Sequence, residues 1–497
     1  MDDPLDDPVD DAVVIGGSVA GLCTALALAQ EGRRVTVVER DDIGPQDSPH
    51  AAFAAWQRRG APQARHSHAF LARLRNLLRD RAPDVLAELL DAGASELRFA
   101  EHLPPTLAPL VAEPGDEDLV ALACRRTTFE WVLRRHVAGL AGASLIQGTV
   151  EGLVVDAATT GGPARPPHVT GVRLVGGAVH RAGLVVDASG RRSALPAWLG
   201  AVGAAPVEEV EHDTGIVYSS RFYRLLPGST APPLQRLVVG DLGYLKYAVF
   251  AGDNGTFSIT FGLRSGDAEM RRLLHPAAFT ATAEALEPAR ALVAPDSAEP
   301  ISGVEVMTGL INRMRHFAPG GRPVATGVFA VGDASVCTNP LYGRGCSLAA
   351  VQAFLLADVL AAQVGTPEEA GLAYEAATAE HIEPWYKAAL AQDQADHDEV
   401  ASESDGSGSP GMAAIMRDGL LPAARTDPVV YRAFIRSFNL LDPPGTMMRD
   451  AEVVTRVLAT WSRRSDQAPE ARSIGPDRAE LLALLDEATP RPVLDGD

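Results

Sequence analysis

Cysteine is scarce in this chain, and its scarcity limits the possible protein classes. Only four cysteines occur among 497 residues. Apart from the last two they lie far apart, and their spacing matches no metal-ligand pattern. Such thiols are typical of a reducing compartment, so we expect neither a disulfide framework nor a metal centre. These four residues are Cys23, Cys124, Cys337 and Cys346.

Basic residues are also too few for a protein that binds nucleic acid. The chain has 44 Lys and Arg against 64 Asp and Glu, which gives a net charge of −20. Binding to a phosphate backbone requires clustered basic side chains. We therefore expect no nucleic-acid partner, and we interpret the acidic opening MDDPLDDPVDD as a solvated tail.

The chain lacks a long, uninterrupted apolar run. Residues 13–29 are broken by three glycines, and residues 346–364 include Gln352 and Asp358. The N-terminus has neither the basic nor the apolar region of a signal peptide. The sequence therefore predicts no transmembrane segment and a cytoplasmic location, and both runs are typical of buried elements in an α/β core.

The most informative segment that is present covers residues 12–40, AVVIGGSVAGLCTALALAQEGRRVTVVER. It predicts a strand, a glycine-rich turn, a helix and a second strand, the pattern of a dinucleotide-binding βαβ unit. Gly16 allows the tight turn, and Gly21 lets the helix pack closely. The amides of residues 18–22 can hold a pyrophosphate at the helix N-terminus.

Two details of this unit define its expected contacts. Glu39 follows Gly16 by 23 residues (39 − 16), where a carboxylate can bond ribose hydroxyls. Ser18 stands where the G-x-G-x-x-G pattern has its second glycine. The cofactor-binding residues that we predict here are Gly16, Ser18, Ala20, Gly21, Glu39 and Arg40.

A second landmark covers residues 327–350, GVFAVGDASVCTNPLYGRGCSLAA. The apolar strand, the Gly-Asp-Ala turn and the glycine-punctuated loop are similar to the second FAD fingerprint of monooxygenases in the para-hydroxybenzoate hydroxylase-like superfamily. The resemblance implies that Asp333 bonds a ribityl hydroxyl, and that the next helix aims its N-terminus at the flavin pyrimidine edge. It also assigns Gly332, Gly343, Gly345 and Cys346 to the cofactor, and Pro340 and Tyr342 to the pocket.

A third match, residues 184–193 with the sequence LVVDASGRRS, resembles the family's segment that contacts FAD and the path of the nicotinamide cofactor. Asp187 and Gly190 are assigned to FAD on this basis. Ser189 stands where the family has Asp, which weakens the inference of direct NADPH binding. The Asp-Ala-Ser-Gly-Arg pattern is similar instead to flavin-dependent halogenases, geranylgeranyl-reductase-like enzymes and actinobacterial polyether polyene epoxidases.

Two further segments resemble this group. In residues 124–137, CRRTTFEWVLRRHV, an arginine before a predicted helix is expected to reach FAD, either Arg125, which we prefer, or Arg126. Residues 60–71, GAPQARHSHAFL, are similar to a loop of the polyene epoxidases, so Arg65 and His66 are expected to meet FAD phosphate or the flavin edge. His66 and His68 lack the spacing of a helical metal pair.

Together these patterns predict an α/β protein with a discontinuous, Rossmann-like FAD-binding domain of the glutathione-reductase type, formed by residues 1–200 and 318–365. Residues 201–317 alternate apolar and polar side chains around an Asp-Asn-Gly turn, which predicts an inserted antiparallel-sheet substrate domain. Residues 366–497 predict a helical region with a flexible loop at 402–412. The aromatic residues that we assign to the substrate are Tyr218, Phe222, Tyr244, Tyr247, Phe257 and Phe261.

The resemblance implies a monooxygenase that uses an FAD C4a-hydroperoxide, O2 and electrons from NAD(P)H, taken directly or through a partner flavin reductase. Such chemistry needs no acid or base from the protein for an alkene, whereas phenol hydroxylation profits from a base. We therefore expect oxygen insertion into a large apolar substrate, most simply epoxidation of a polyketide or other secondary metabolite in antibiotic biosynthesis.

Two alternatives remain open at this point. A flavin-dependent reductase or dehydrogenase of a polyprenoid-like substrate would need the same fold and an apolar pocket. A tryptophan-type halogenase would carry a Trp-x-Trp-x-Ile-Pro run and a distant Lys, but the five tryptophans of this chain are isolated. The substrate, the stereochemistry and the oligomeric state do not follow from the sequence.

Overall fold

A computed structural model of the chain describes residues 10–101, 103–109, 111–156, 165–232, 234, 238–362, 365–405, 415–463 and 475–489. Most of the acidic N-terminal segment lies outside the described residues. The predicted flexible loop at 402–412 is described only through Asp405, and these first residues continue a helix rather than forming a loop. The rest of that loop lies outside the described residues.

The described residues begin with a β-α-β unit, as the pattern of residues 12–40 predicts. The strands are β1 (Asp10–Ile15), β2 (Val35–Glu39), β3 (Ser95–Arg98), β4 (Val120–Ala123), β5 (Ala143–Gln147), β6 (Val150–Val155), β7 (Val169–Leu174), β8 (Val179–Asp187), β9 (Glu208–Asp213), β10 (Ile216–Leu225), β11 (Val238–Asp241), β12 (Lys246–Ala251), β13 (Thr256–Arg264), β14 (Ala298–Pro300), β15 (Glu305–Met307), β16 (Ile311–His316), β17 (Val328–Ala330) and β18 (Val336–Cys337).

The α-helices follow the same chain order. They are α1 (Val19–Gln30), α2 (Pro49–Ala55), α3 (Ala72–Arg81), α4 (Pro83–Asp91), α5 (Arg126–Gly139), α6 (Leu195–Ala201), α7 (Pro276–Ala285), α8 (Glu287–Val293), α9 (Gly345–Ala361), α10 (Pro367–His381), α11 (Glu383–Asp405), α12 (Leu421–Thr426), α13 (Pro428–Phe438), α14 (Thr446–Arg449), α15 (Ala451–Ser462) and α16 (Arg478–Ala488).

A parallel sheet with the order β5-β2-β1-β8 forms the centre of the first layer, and β17 pairs with the carboxyl end of β8. Strands β1 and β2 and the carboxyl-terminal half of β8 are almost continuously buried, and Ala12, Val13 and Val14 have no exposed surface. Such continuous burial is typical of a parallel sheet that is covered on both faces. Helices α1 and α9 pack together on it, and β7 and β6 extend it in antiparallel fashion.

A second, antiparallel sheet has the order β11-β12-β13-β10-β14, and β15 also pairs with β10. The turn between β12 and β13 contains Asn254 and Gly255 with φ of 51° and 69°, the left-handed conformation that an Asn-Gly hairpin requires. One face of the sheet packs on α7, α8 and α16. The prediction of a Rossmann-like α/β fold with an added antiparallel sheet and C-terminal helices is confirmed.

Strands β18, β16 and β9 form a small third sheet, which α11 contacts. The division into domains at residues 200, 318 and 365 stays a prediction. All four cysteines are buried and free. None of the described helices is long and apolar enough to cross a lipid bilayer.

Candidate active site

The carboxyl ends of β1, β8 and β17 meet at one edge of the parallel sheet. The Ala188 amide donates to the Ile15 carbonyl over 2.9 Å, and the Val331 amide donates to the Asp187 carbonyl over 2.9 Å. Gly16 has a φ of 102°, and a Cβ there would lie 2.6 Å from the Ala188 carbonyl oxygen. Only glycine fits this turn, because a side chain would displace the neighbouring strand end.

The two glycine motifs lie against one another at this edge. A Cβ on Gly21 would lie 1.8 Å from the Gly16 carbonyl oxygen, so a side chain would push α1 away from the turn. A Cβ on Gly332 would lie 2.8 Å from the Ala20 Cβ. Segments that are far apart in sequence therefore form one cradle around the N-terminus of α1.

The first turn of α1 is open to an anion. It contains no acidic residue, and Ser18 at its N-cap does not cap it with its side chain. The Ser18 hydroxyl instead donates to Glu130 Oε1 over 2.5 Å. The first amides of a helix have no partner within the helix and carry its positive end, so this turn suits a pyrophosphate.

Arg126 extends from the start of α5 to this turn. Its Nη2 donates to Ser18 Oγ over 2.8 Å, and its Nε donates to Glu130 Oε1 over 2.8 Å. Its Nη1 lies 3.0 Å from His68 Nε2 and donates weakly to Cys346 Sγ at 3.8 Å. Arg126 thus links the first glycine motif to the first turn of α9.

Arg125, the residue that we preferred for the cofactor, makes its described hydrogen bonds away from the glycine turn, and its predicted contact with FAD stays a prediction. Its Nε and Nη2 donate to Asp253 over 3.0 and 2.6 Å, and both side chains are almost fully buried. Asp253 belongs to the β12–β13 turn, so Arg125 joins the start of α5 to the antiparallel sheet. Consecutive side chains at the start of a helix point in different directions, so Arg125 and Arg126 contact different parts of the protein.

Glu39 lies buried beneath the glycine-rich turn. Its carboxylate accepts hydrogen bonds from the Gly17 and Asp41 amides, each over 2.9 Å, and Arg58 Nη1 lies 3.4 Å away. Arg58 Nε and Arg134 Nη1 are buried and have no hydrogen-bond partner in the described part of the chain. Arg40 is exposed and donates to the Arg59 carbonyl oxygen, so the structure does not direct it to the cradle.

Asp333 lies at the opposite side of the cradle, after β17. Its carboxylate is half-buried, and within the described residues it accepts no hydrogen bond. Burial raises its pKa, and the charges of Arg126, Arg191 and Arg313 oppose that rise. An unsatisfied carboxylate in this position suits sugar-like hydroxyl donors. Arg191 directly follows the assigned Gly190 but is not among the site residues predicted from the sequence.

Asp187 is bonded within its own turn. It is fully buried, accepts from the Ser189 amide over 2.9 Å, and accepts a short hydrogen bond from the Ser193 hydroxyl. Burial raises its pKa. Asp187 therefore shapes the turn that contains Gly190, whose φ is 81°, and its predicted contact with FAD stays a prediction. The Ser189 hydroxyl is buried without a partner among the described residues.

The loop at residues 60–71 places two neutral histidines beside the cradle. Burial lowers the pKa of His66 to about 4, helped by Arg191, and that of His68 to about 3, helped by Arg126. His66 Nδ1 lies 3.1 Å from Ser220 Oγ. His68 Nδ1 donates to the His66 carbonyl oxygen over 2.9 Å, so its Nε2 accepts from Arg126.

Arg65 does not reach the glycine turn within the described contacts. Its guanidinium stacks 4.6 Å above the Phe53 ring, and Nη2 donates to the Trp56 carbonyl oxygen over 3.4 Å. The Arg125 guanidinium lies 4.9 Å from the same ring. Arg65 is half-buried, so its predicted contact with FAD stays a prediction.

The six aromatic residues assigned to the substrate divide between two faces of the antiparallel sheet. The Tyr218 hydroxyl donates to Asn339 Oδ1 over 3.2 Å, and Phe222 packs edge-on against Phe53 at 5.2 Å, so both face the cradle side. The other four point away from the cradle, and their assignment to the substrate stays a prediction. Tyr247, Phe257 and Phe261 pack in the core with the helices behind the sheet, and Tyr244 donates to the Pro476 carbonyl oxygen.

The loop between β18 and α9 completes the site. Its short 3-10 turn, Pro340–Tyr342, is capped by Asn339, whose Oδ1 accepts from the Leu341 amide over 3.0 Å. A Cβ on Gly343 would lie 3.0 Å from the Ala69 Cβ, so this loop touches the histidine loop. The Tyr342 hydroxyl donates to Asp393 of α11 over 2.7 Å, a contact that no local sequence pattern indicates.

These groups fit an FAD. Amides and guanidinium donors surround the glycine turn, the Asp333 carboxylate lacks a donor, and the glycines leave room that a Cβ would fill. The N-terminus of α9, where Gly345 and Cys346 lie, has no acidic residue and no side-chain cap. No three His, Cys, Asp or Glu residues in the described part of the chain are arranged to bind a metal ion.

Comparison with known proteins agrees with this geometry. A family model described as FAD dependent oxidoreductase matches residues 11–363. The chain is 30% identical over 458 residues to Protein Rv3254 of Mycobacterium tuberculosis (strain ATCC 25618 / H37Rv), covering 87% of this chain and 90% of that protein.

Solved structures resemble the fold at low sequence identity. The flavin-dependent brominase Bmp2 superposes with a TM-score of 0.57 and 16% identity, over 93% of this chain and 100% of that one. The p-nitrophenol 4-monooxygenase PnpA from Pseudomonas putida DLL-E4 gives a TM-score of 0.54 and 17% identity, over 88% and 99%.

Proposed function

The chain belongs to the FAD-dependent oxidoreductase family, and on that premise we propose that it is a monooxygenase that epoxidises an alkene in a large apolar substrate. In this reaction one atom of O2 enters the double bond and the other leaves as water. Two electrons come from NAD(P)H, directly or through a partner flavin reductase. Bound FAD supplies the activation of oxygen.

The protonation state of His66 and His68 is the main support for the proposal. Because burial lowers the pKa of His66 to about 4 and that of His68 to about 3, both are neutral near pH 7 and are weak bases. Each also has a ring nitrogen engaged by a neighbour. A phenol would profit from a base near its oxygen, whereas an alkene requires none, so this site favours the alkene.

A small apolar cavity of about 30 Å³ adjoins the cradle. It begins at His68 and is lined by Leu122 of β4 and Phe250 of β12, with Phe438 of α13 at its side. Phe250 pairs with Ser258 in the sheet, so it lies on the face that the histidine loop contacts. Ligand pockets typically hold roughly 300–1,000 Å³, so we assign no more than a terminal methyl group of the substrate to this cavity.

The first experiment mixes the purified protein with NADPH, and separately with NADH, under anaerobic conditions and follows the flavin absorbance. Bleaching by either nucleotide indicates a direct route for electrons; without it, a flavin reductase is added. Oxygen is then admitted with a panel of apolar alkenes. Epoxide formation coupled to O2 consumption supports the proposal, whereas alkene reduction without O2 consumption contradicts it in favour of a reductase.

Asp333→Ala tests the site assignment. Loss of the carboxylate removes the acceptor that we assign to the ribityl chain, so we expect FAD affinity to fall at least tenfold, measured by fluorescence quenching on titration with FAD. Asp296→Ala is the matched control, because Asp296 is exposed. Unchanged FAD affinity in Asp333→Ala would contradict the assignment.

Ser189→Asp should keep FAD bound and at most improve the use of NADPH.

Halogenation is a second candidate, because Lys246 lies close to Tyr218 and could be the distant lysine expected of a tryptophan-type halogenase. Lys246 pairs with Gly262 across β12 and β13, and a Cβ on Gly262 would lie 3.6 Å from the Lys246 Cβ and 3.3 Å from the Tyr218 ring. The Cβ of Lys246 thus lies on the face of the sheet that carries Tyr218. Its ammonium, however, lies 3.7 Å from Asp241 Oδ2. Adding bromide to the coupled assay decides: a brominated product that disappears in Lys246→Met supports halogenation over epoxidation.

A further inference from the structure

The C-terminal helix α11 contributes a pair of opposite charges to the loop that precedes α9. Asp393 of α11 accepts three hydrogen bonds: from Asn312 Nδ2 over 2.6 Å, from Asn339 Nδ2 over 2.8 Å and from the Tyr342 hydroxyl over 2.7 Å. The carboxylate is buried. All three donors are neutral, so hydrogen bonds hold this charge in place without neutralising it.

Arg344 carries the opposite charge at the N-cap of α9. It is 7% exposed, and its Nη2 donates to Gln392 of α11 over 3.0 Å. Its guanidinium lies over the rings of Tyr342 and Trp385, at 4.8 and 5.4 Å. Burial lowers its pKa to about 10, so it remains charged at neutral pH.

Neither charge is cancelled by direct contact. Within the described residues Arg344 has no carboxylate inside ion-pair distance, and its Nη1 is buried without a hydrogen-bond partner. The Ser347 hydroxyl in the first turn of α9 is likewise buried and unpartnered. A buried charge without a salt bridge acts at a distance on its surroundings, because the local dielectric is low.

We propose that Arg344 and Asp393 set the preference of the site for reduced over oxidised FAD, Arg344 by strengthening it and Asp393 by weakening it. The inference rests on the proposed placement of the flavin at the N-terminus of α9. Reduction adds negative charge to the flavin, so a cation beside that helix end favours the reduced form and an anion disfavours it. Helix α11 is then part of the cofactor site, and Asp393 also acts as a positioning residue for the Asn339–Arg344 loop.

The test measures the midpoint potential of bound FAD by dye equilibration, without substrate or oxygen. Arg344→Gln should lower the preference for reduced FAD about tenfold, a shift of about −30 mV for a two-electron couple. Asp393→Asn should shift the potential in the opposite direction. Arg344→Lys keeps the positive charge, so its midpoint potential should stay close to that of the wild type. Lys387→Gln, a substitution at an exposed position of α11, should leave the potential unchanged.

The opposite signs separate this role from a merely structural one. If the two residues only hold the loop, both variants loosen it and move the potential in the same direction, toward that of free FAD. Shifts of the same sign, or no shift in Arg344→Gln with FAD bound, overturn the proposal. If Arg344→Gln does not fold, Arg344→Met, which also removes the charge, is measured in its place and must shift the potential in the direction opposite to Asp393→Asn. Wild-type protein that binds no FAD contradicts the proposed function instead.

Discussion

The two faces of the antiparallel sheet differ in chemistry although they share the same strands. On one face, Phe257 and Phe261 pack among apolar helices, with Phe261 4.5 Å from Phe279. On the other, Ser67 donates to Ser258 over 2.7 Å and accepts from Thr260 over 2.6 Å, while Ser220 and Thr260 lie 2.7 Å apart. The aromatic face supplies stability, and the hydroxyl face attaches the histidine loop to the sheet.

The largest expected effect is on the aromatic face. Phe261→Ala removes a fully buried ring and leaves a cavity, so we expect the free energy of unfolding to fall by about 3–5 kcal/mol. Chemical denaturation measures this loss, and the absorption spectrum of bound FAD should not change. Phe261→Leu serves as the milder control. If Phe261→Ala keeps its stability but alters the flavin spectrum, the assignment of the two faces is reversed.

The next effect concerns pH and the hydroxyl face. The pKa of His66 is about 4 in the folded protein and roughly 6.5 in an unfolded chain. Between these values the unfolded state binds more protons, so stability falls as the pH drops from 6.5 toward 4. The expected loss is on the order of 3 kcal/mol by pH 4.

The dependence on His66 is measured by denaturation across this pH range. His66→Gln keeps a polar group near Ser220 but does not titrate, so the variant should lose less stability on acidification than the wild type. His68 contributes in the same direction because its pKa is also lowered. An identical pH profile in His66→Gln would show that the imidazole is not buried in its neutral form.

The smallest effect is expected from Thr260→Val, which keeps the shape of the side chain but removes the hydroxyl. Ser67 and Ser220 then lose a partner in a partly buried cluster, at a cost of about 1–2 kcal/mol in unfolding free energy. Thr455→Val on the exposed side of α15 is the matched control. A loss equal to that of Phe261→Ala would remove the distinction between the faces.

The strands of the antiparallel sheet could be predicted from the sequence, but the orientation of its two faces could not. The Asn-Gly turn and the alternation of β12 and β13 are local patterns, so the sheet was predictable. Which side of that sheet faces the cofactor depends on the docking of helices from distant parts of the chain. Tyr247 and Phe257 lie on the face that packs against the helices, and no local pattern indicated this. Alternation predicted two faces but supplied no means of orienting them.

The cofactor cradle shows the same limit. The glycine turns at Gly16 and Gly332 follow from local geometry, because strand, turn and helix occur in fixed order. The choice between Arg125 and Arg126 depended on the exact start of α5, and helix boundaries are poorly defined by sequence. Asp393 reaches the site only through the packing of α11, so no pattern near the fingerprints could have indicated it.

Strand β17 is synthesised long after β8, the strand with which it pairs. Residues 185–187 of β8 pair with β1 on one side and with β17 on the other, and 140 residues (188–327) lie between the end of β8 and the start of β17. At roughly 5–20 residues per second, a ribosome needs about 7–28 s to supply them. During that interval the nascent chain exposes an unpaired strand edge, the kind of surface that chaperones protect.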